Sequence, residues 1–204
     1  IQQAIKGEAP AAPRTQCTEY ILPYETIGRD SAEAVGEKNA NVAEVLNRVG
    51  LRVPRGFAVT TAGFDRFMAH NNLAEVVQRL KAKADVIETQ TILQVSEQIQ
   101  LLIGESEVPE DLARAILDAL ARMGAAAGVN HRPLRVAVRS SAIGEDSVLS
   151  FAGQYLSVLN VPPDRRGLVH ERDAGRLAEF GEAIRTMFRE NLAAGARVTA
   201  TSRR

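Results

Sequence analysis

Residues 134–161, LRVAVRSSAIGEDSVLSFAGQYLSVLNV, decide how the chain is read, because they interrupt a long helical pattern with two short strands. Leu134, Val136 and Val138 alternate with Arg135 and Ala137, as in a half-buried strand, and Arg139 falls at its end. QYLSVLNV gives a second strand, from Tyr155 or Leu156 through Val161, so residues 139–154 read as a loop joining the two. That loop gathers Arg139, Ser140, Ser141, Glu145 and Asp146 between apolar segments, and Gly144 and Gly153 allow close backbone approach. Arginine offers a planar fork of donors to phosphate oxygens, and the hydroxyls of Ser140, Ser141 and Ser157 with nearby backbone N–H groups add neutral donors. Such a loop suits phosphate. The same residues also allow a plain loop, in which Arg139 pairs with Glu145 or Asp146 and the serines turn the chain.

Working outward, KNANVAEVLNRVG (38–50) places Val42, Leu46 and Val49 at i, i+4 and i+7 with Gly50 at the stop, which predicts a helix over residues 38–49. LRVPRGFAVTT (51–61) has a Pro-Arg-Gly turn, then a short strand at Phe57, Ala58 and Val59, and two threonines able to cap the next helix, AGFDRFMAHN (62–71). Further helical stripes follow at Leu73, Val76, Val77 and Leu80, then at Ile92, Val95, Ile99 and Leu102. Another, at Leu112, Ile116, Leu120 and Met123, begins after a Pro109 suited to a helix start. After the two strands, Leu177, Phe180, Ile184 and Phe188 again share one helical stripe. Residues 1–18, rich in Ala, Pro and polar residues, are expected to be a mobile leader, and residues 193–204 a tail. No internal repeat is visible.

Bulk properties narrow the function. The 204 residues carry 25 basic and 25 acidic side chains, so no net field draws the chain to nucleic acid or anionic lipid. At 4% aromatic composition, base stacking has little to work with. With 45% hydrophobic residues the chain can bury a core, as one domain or two small lobes. The single cysteine, Cys17, fits a reducing compartment, and the cytoplasm is the expected location. No apolar run approaches the roughly 20 residues needed to span a bilayer, and the N-terminal stretch lacks the apolar core of a signal peptide. The first residue, Ile1, suggests a fragment or a processed chain.

A second candidate for phosphate chemistry is VGEKNAN (35–41), where Lys38 stands near Gly36 at the start of the first helix. Exposed N–H groups and the helix dipole favour an anion there. It is not a Walker A loop, which needs Gly-Lys-Ser/Thr, because Glu37 separates Gly36 from Lys38. Taken alone, a lysine at a helix start is more often a solvated charge. His70, His131 and His170 are isolated, without metal-ligand spacing, and no G-x-S-x-G elbow supports a serine hydrolase.

Together and in this order, VGEKNANVAEVLNRVGLRVPRGFAVTTAGFDRF (35–67) and VAVRSSAIGEDSVLSFAGQYLSVLNV (136–161) resemble the N-terminal nucleotide-binding domain of the phosphoenolpyruvate synthase and pyruvate phosphate dikinase family, which rifampicin phosphotransferase shares. The resemblance covers residues 20 to 161 and is carried by both blocks jointly. It implies an α+β, ATP-grasp-like nucleotide-binding domain, incomplete and with a helical middle section, over residues 19–192. It further implies that Lys38 and Arg139 contact nucleotide phosphates and converge on one cleft. Gly153 and Gln154 would form the glycine-containing loop over those phosphates, and Ser157 stands where relatives usually have threonine.

The implied function is the ATP-binding part of a dikinase-type phosphotransferase. It would pass a phosphoryl group from ATP towards a histidine on another domain, and from there to pyruvate or a similar acceptor. In the family, acidic and glutamine residues of the following lobe bind Mg2+. This sequence shows no counterpart of them or of the histidine, so no catalytic residue or metal ligand is expected within it. The expected partners are ATP and the phosphohistidine and acceptor-binding domains of a longer protein, with no nucleic acid and no membrane. Two departures stand out: Glu37 replaces the second glycine of the family's G-G-K, and SSAIGEDSVLSFAGQ is one residue shorter than the usual spacing. The rival expectation is a non-catalytic nucleotide-binding or interaction domain of the same fold, its phosphate site weakened by Glu37.

Overall fold

The computed structural model describes residues 17–84, 89–126, 135–140 and 157–161. The expected leader (1–18) lies almost wholly outside them, as do most of the loop after Arg139, the helical stripe from Leu177 to Phe188 and the tail. Two ribbons and six α-helices make up the described part, a mixed α+β arrangement.

The first strand, β1 (Ile21–Pro23), has no visible alternation in the sequence, because Pro23 ends it after three residues. It pairs antiparallel with β2 (Phe57–Val59), in the register Ile21 to Val59, Leu22 to Ala58 and Pro23 to Phe57. Successive strand residues point to opposite faces, so this small ribbon separates two apolar clusters. Ile21, Phe57 and Val59 pack on the larger cluster, built around Phe67, Ile99, Leu112 and Ile116. Leu22 and Ala58 turn to the smaller one, which holds Ile27, Val35, Ala40 and Ala43.

The smaller cluster is covered by α1 (Ala32–Val35) and α2 (Glu37–Glu44), with a wider helical turn over Val45–Val49 continuing α2. The predicted helix over residues 38–49 is thus found, preceded by a four-residue helix too short to show a period. Gly36 divides the two with φ +79°, a left-handed conformation that glycine adopts without strain. Gly50 ends the segment, also at positive φ (+73°) but in the left-handed helical region, as its position after the last apolar residue predicts.

Helices α3 (Thr61–His70), α4 (Leu73–Ala84), α5 (Thr89–Gly104) and α6 (Glu110–Ala126) surround the larger cluster. Thr60 caps α3 as expected: its Oγ1 accepts from the Gly63 N–H at 3.4 Å while its own hydroxyl donates to the Glu19 carbonyl. The side chain is fully buried, and these bonds satisfy it. At the other end of α3, Asn71 Nδ2 donates to the carbonyls of Phe67 and Glu107, and Asn71 Oδ1 accepts from the Glu107 N–H. One amide side chain therefore ties α3 to the turn between α5 and α6. Among the described residues no helix is long and apolar enough to cross a membrane.

The two strands flanking the polar loop are β3 (Val136–Arg139) and β4 (Ser157–Val161), which pair antiparallel. Their register runs Val136 to Val161, Val138 to Val158 and Arg139 to Ser157, with an irregularity between Val136 and Val138. Val136 and Val138 are half-buried and Arg135 and Ala137 exposed, the alternation read from the sequence. Val161 is buried in the larger cluster, so the ribbon is anchored to the helical core.

Two outcomes follow from this packing. Phe67→Ala should lower stability by about 3 to 5 kcal/mol, through lost burial and the cavity left behind, whereas Leu93→Ala on the exposed face of α5 should stay within about 0.5 kcal/mol. Urea midpoints compare the two directly. On the surface, Arg66 Nε donates to Asp111 Oδ2 at 2.8 Å and the Tyr20 hydroxyl donates to the same oxygen at 3.3 Å. The Arg66 hydrogen bond holds the Asp111 carboxyl below its ordinary value of 3.8, partly opposed by desolvation. A depressed folded-state value means stability that is present above 3.8 and lost as pH falls through the lower folded value. Wild type should therefore melt above Asp111→Asn at neutral pH, by a small margin for so exposed a group, and acid should close the gap.

Candidate functional site

Lys38 is the second residue of α2 and is exposed, while Glu37 beside it is half-buried. No side chain caps α2 at Gly36, and the first bond of the helix runs from the Ala40 N–H to the Gly36 carbonyl at 3.1 Å. Backbone donors and the positive end of the helix dipole thus gather where Lys38 begins. Asn39 splints the break at Gly36: its Nδ2 donates to the Val35 carbonyl at 2.8 Å. Its Oδ1 accepts from the Tyr24 hydroxyl at 3.1 Å.

Tyr24 is held on several sides. Its N–H donates to the Gly56 carbonyl at 3.1 Å, and its own carbonyl accepts from Asn47 Nδ2 at 2.8 Å. A Cβ placed on Gly56 would lie 2.6 Å from Tyr24 Cε2 and 2.9 Å from Cζ, so the ring occupies the space a side chain would need. Burial pushes the Tyr24 phenol above its ordinary value, and the positive charge of Arg139 pulls it part of the way back. The guanidinium at the end of β3 is therefore within Coulombic reach of the phenol, more than a hundred positions away in sequence. Arg139 Nε also points to Ser157 Oγ at 3.4 Å, across the last pair of the β3–β4 register.

The structure thus brings Arg139 and Ser157 side by side as a cross-strand pair, and links Arg139 electrostatically to the tyrosine that holds the residue next to Lys38. Gly153 and Gln154 lie outside the described residues. Ser140 is buried beside Arg139, whereas Ser141 lies outside the described residues. His70 ends α3, exposed, and among the described residues no three His, Cys, Asp or Glu side chains are grouped to hold a metal ion. Tyr24, Asn39 and Gly56 were not singled out in the sequence. Their only signal is that each stands inside or next to a motif, in YETIG, GEKN and PRG, since what joins them is contact at a distance. Lysine, arginine, hydroxyl and a helix start are donor groups, each suited to an anion, and the Glu37 carboxylate is of the opposite sign.

The chain matches the sequence profile of the pyruvate phosphate dikinase, AMP/ATP-binding domain, over residues 32–196. It is 36% identical over 152 residues to a probable phosphoenolpyruvate synthase of Methanothermobacter thermautotrophicus, and 38% identical over 146 residues to the phosphoenolpyruvate synthase of Neisseria meningitidis serogroup B. Over 143 residues it is 35% identical to a rifampicin phosphotransferase of Streptomyces sviceus. These alignments take in 74%, 70% and 70% of this chain, but 22%, 18% and 16% of the relatives. The chain spans about a fifth of the length of the curated relatives it matches.

The contact between Tyr24 and Gly56 gives a direct test of how this region is held. Gly56→Ala forces the ring or the turn to move, and should cost about 1 to 3 kcal/mol in denaturant titration, as overpacking typically does. An unchanged midpoint would show that the ring has room to yield.

Proposed function

Since the chain belongs to the pyruvate phosphate dikinase AMP/ATP-binding domain family, we propose that it is the ATP-binding part of a dikinase-type phosphotransferase, with the nucleotide phosphates taken between Lys38 on α2 and Arg139 on β3. The observation that carries this reading is the family match over residues 32–196, and the Tyr24 hydroxyl bonded to Asn39 beside Lys38, with the Arg139 charge acting on the same phenol, supports it. Two cations on separate elements would grip a chain of phosphates better than either cation alone. The donor set fits ATP. Lys38 would act as a point charge, Arg139 as a planar fork, and Ser157 as a neutral donor that also steadies the arginine. Gly153 and Gln154 would close over the phosphates, in an ATP-grasp-like arrangement of two lobes.

As the family resemblance implies, the Mg2+ that accompanies phosphoryl transfer would be held by acidic and glutamine residues of the following lobe. In the longer protein the phosphoryl group of ATP would pass to a histidine on another domain, and from there to pyruvate or a similar acceptor. What these residues contribute is binding and alignment. A second reading, a non-catalytic nucleotide-binding or interaction domain, is favoured by Glu37. Its carboxylate stands in the first turn of α2, where the helix dipole stabilises a negative charge and a phosphate would compete for the same place.

Titration calorimetry with ATP and Mg2+ on the 204-residue chain, on Arg139→Ala, Lys38→Ala and Glu37→Gly, tests both readings. Arg139 ends a strand and offers a fork, whereas Lys38 is a flexible point charge beside a carboxylate, so Arg139→Ala should cost more. Loss of a charged hydrogen-bonding partner is worth about 1.5 to 3 kcal/mol, or roughly 10- to 150-fold in affinity. Equal losses would remove the asymmetry. Binding seen with Glu37→Gly and not with wild type would favour the non-catalytic reading.

A further inference from the structure

We propose that Tyr24 is a positioning residue of the nucleotide site, which holds the first turn of α2, and with it the backbone that carries Lys38, in place for the phosphates. This rests on the reading of the site as one for ATP. The need for such a residue comes from Gly36, whose left-handed φ of +79° interrupts the helical path between α1 and α2. The first turn of α2 therefore does not inherit the order of α1, and no side chain caps it at Gly36. Asn39 bridges the break, with one amide atom on the Val35 carbonyl and the other on the Tyr24 hydroxyl. Of these two anchors, Val35 belongs to the same short helix pair, whereas Tyr24 lies outside it and is seated on Gly56.

The seat on Gly56 is what makes Tyr24 a reference point. Its ring fills the space left by the absent side chain of Gly56, and its N–H and carbonyl are bonded to Gly56 and Asn47. A hydroxyl on so constrained a ring has little freedom, so its bond to Asn39 transmits position and not merely proximity. The positive charge of Arg139 also acts on the same phenol. A phenylalanine would fill the seat on Gly56 equally well, which leaves the hydroxyl without a packing reason to be there.

The experiment compares wild type with Tyr24→Phe, by ATP titration and by amide hydrogen exchange of the ligand-free chain. Tyr24→Phe should weaken ATP binding about three- to tenfold, the range of one neutral hydrogen bond. Exchange should quicken over residues 36–40 while α3, α5 and α6 keep their protection. Should Tyr24→Phe fail to fold, Asn39→Ala leaves the ring seated and must show the same pattern. Unchanged affinity overturns the proposal. So does weakened binding with protection lost across the helical core, which marks a general structural role, or with exchange unchanged throughout, which marks direct ligand contact. If wild type binds no ATP, the nucleotide reading itself fails and this inference falls with it, an outcome distinct from the others.

Discussion

The ring of Tyr24 against the bare Cα of Gly56 is the contact on which the site region depends. It locks the end of β1 to the turn before β2, and from there hydrogen bonds run to Asn39 on α2 and from Asn47 on the wider turn that follows. Any side chain at residue 56 would push the ring out of its seat, and these bonds would lose their common origin. A single missing side chain thereby sets where the start of α2 stands relative to the ribbon.

That dependence follows from how unequally apolar area is divided by the ribbon. On one side, Phe67, Ile99, Leu112 and Ile116 are fully buried among four long helices, and burying such side chains is worth roughly 1.5 to 3 kcal/mol each. On the other, the buried set includes Ala40, Ala43 and Ala58, which bring backbones close but remove little surface from water. The helical side can hold its shape by burial alone. The α1–α2 side relies on directed contacts instead.

What the sequence disclosed follows the same division. Helices α3 to α6 announce themselves by apolar spacing, and the cap of α3 at Thr60 and the end of the α2 segment at Gly50 by residue type, because both signals are local. The β3–β4 ribbon was legible from alternation in LRVAV, although its irregularity between Val136 and Val138 was not. β1 and α1 were missed: three and four residues are too few to establish a period, and Pro23 breaks the strand pattern. Of the site, Lys38, Arg139 and Ser157 were singled out by the chemistry of their side chains and by family resemblance. Tyr24, Asn39 and Gly56 were invisible for a physical reason. Tyr24 and Gly56 are joined by a contact between residues 32 positions apart, and no local pattern encodes that a ring must lie where a side chain is missing.

Glu37 shows how this region balances folding against binding. A carboxylate in the first turn of a helix without a side-chain cap is favourable to the helix itself, since it meets the positive end of the dipole. A phosphate would draw on the same positive end, so the carboxylate that steadies empty α2 opposes the ligand that α2 would receive. In such a competition Arg139 gains weight, because its guanidinium is carried by another element and is steadied by Ser157 instead of by the helix start. The hydroxyl of Tyr24 is bonded to Asn39 in the first turn of α2, and the charge of Arg139 acts on the same phenol. A helix start biased towards its own carboxylate can still serve a polyanion if its backbone is already fixed when the anion arrives, because ordering it at that moment would add a conformational cost to the displacement of Glu37.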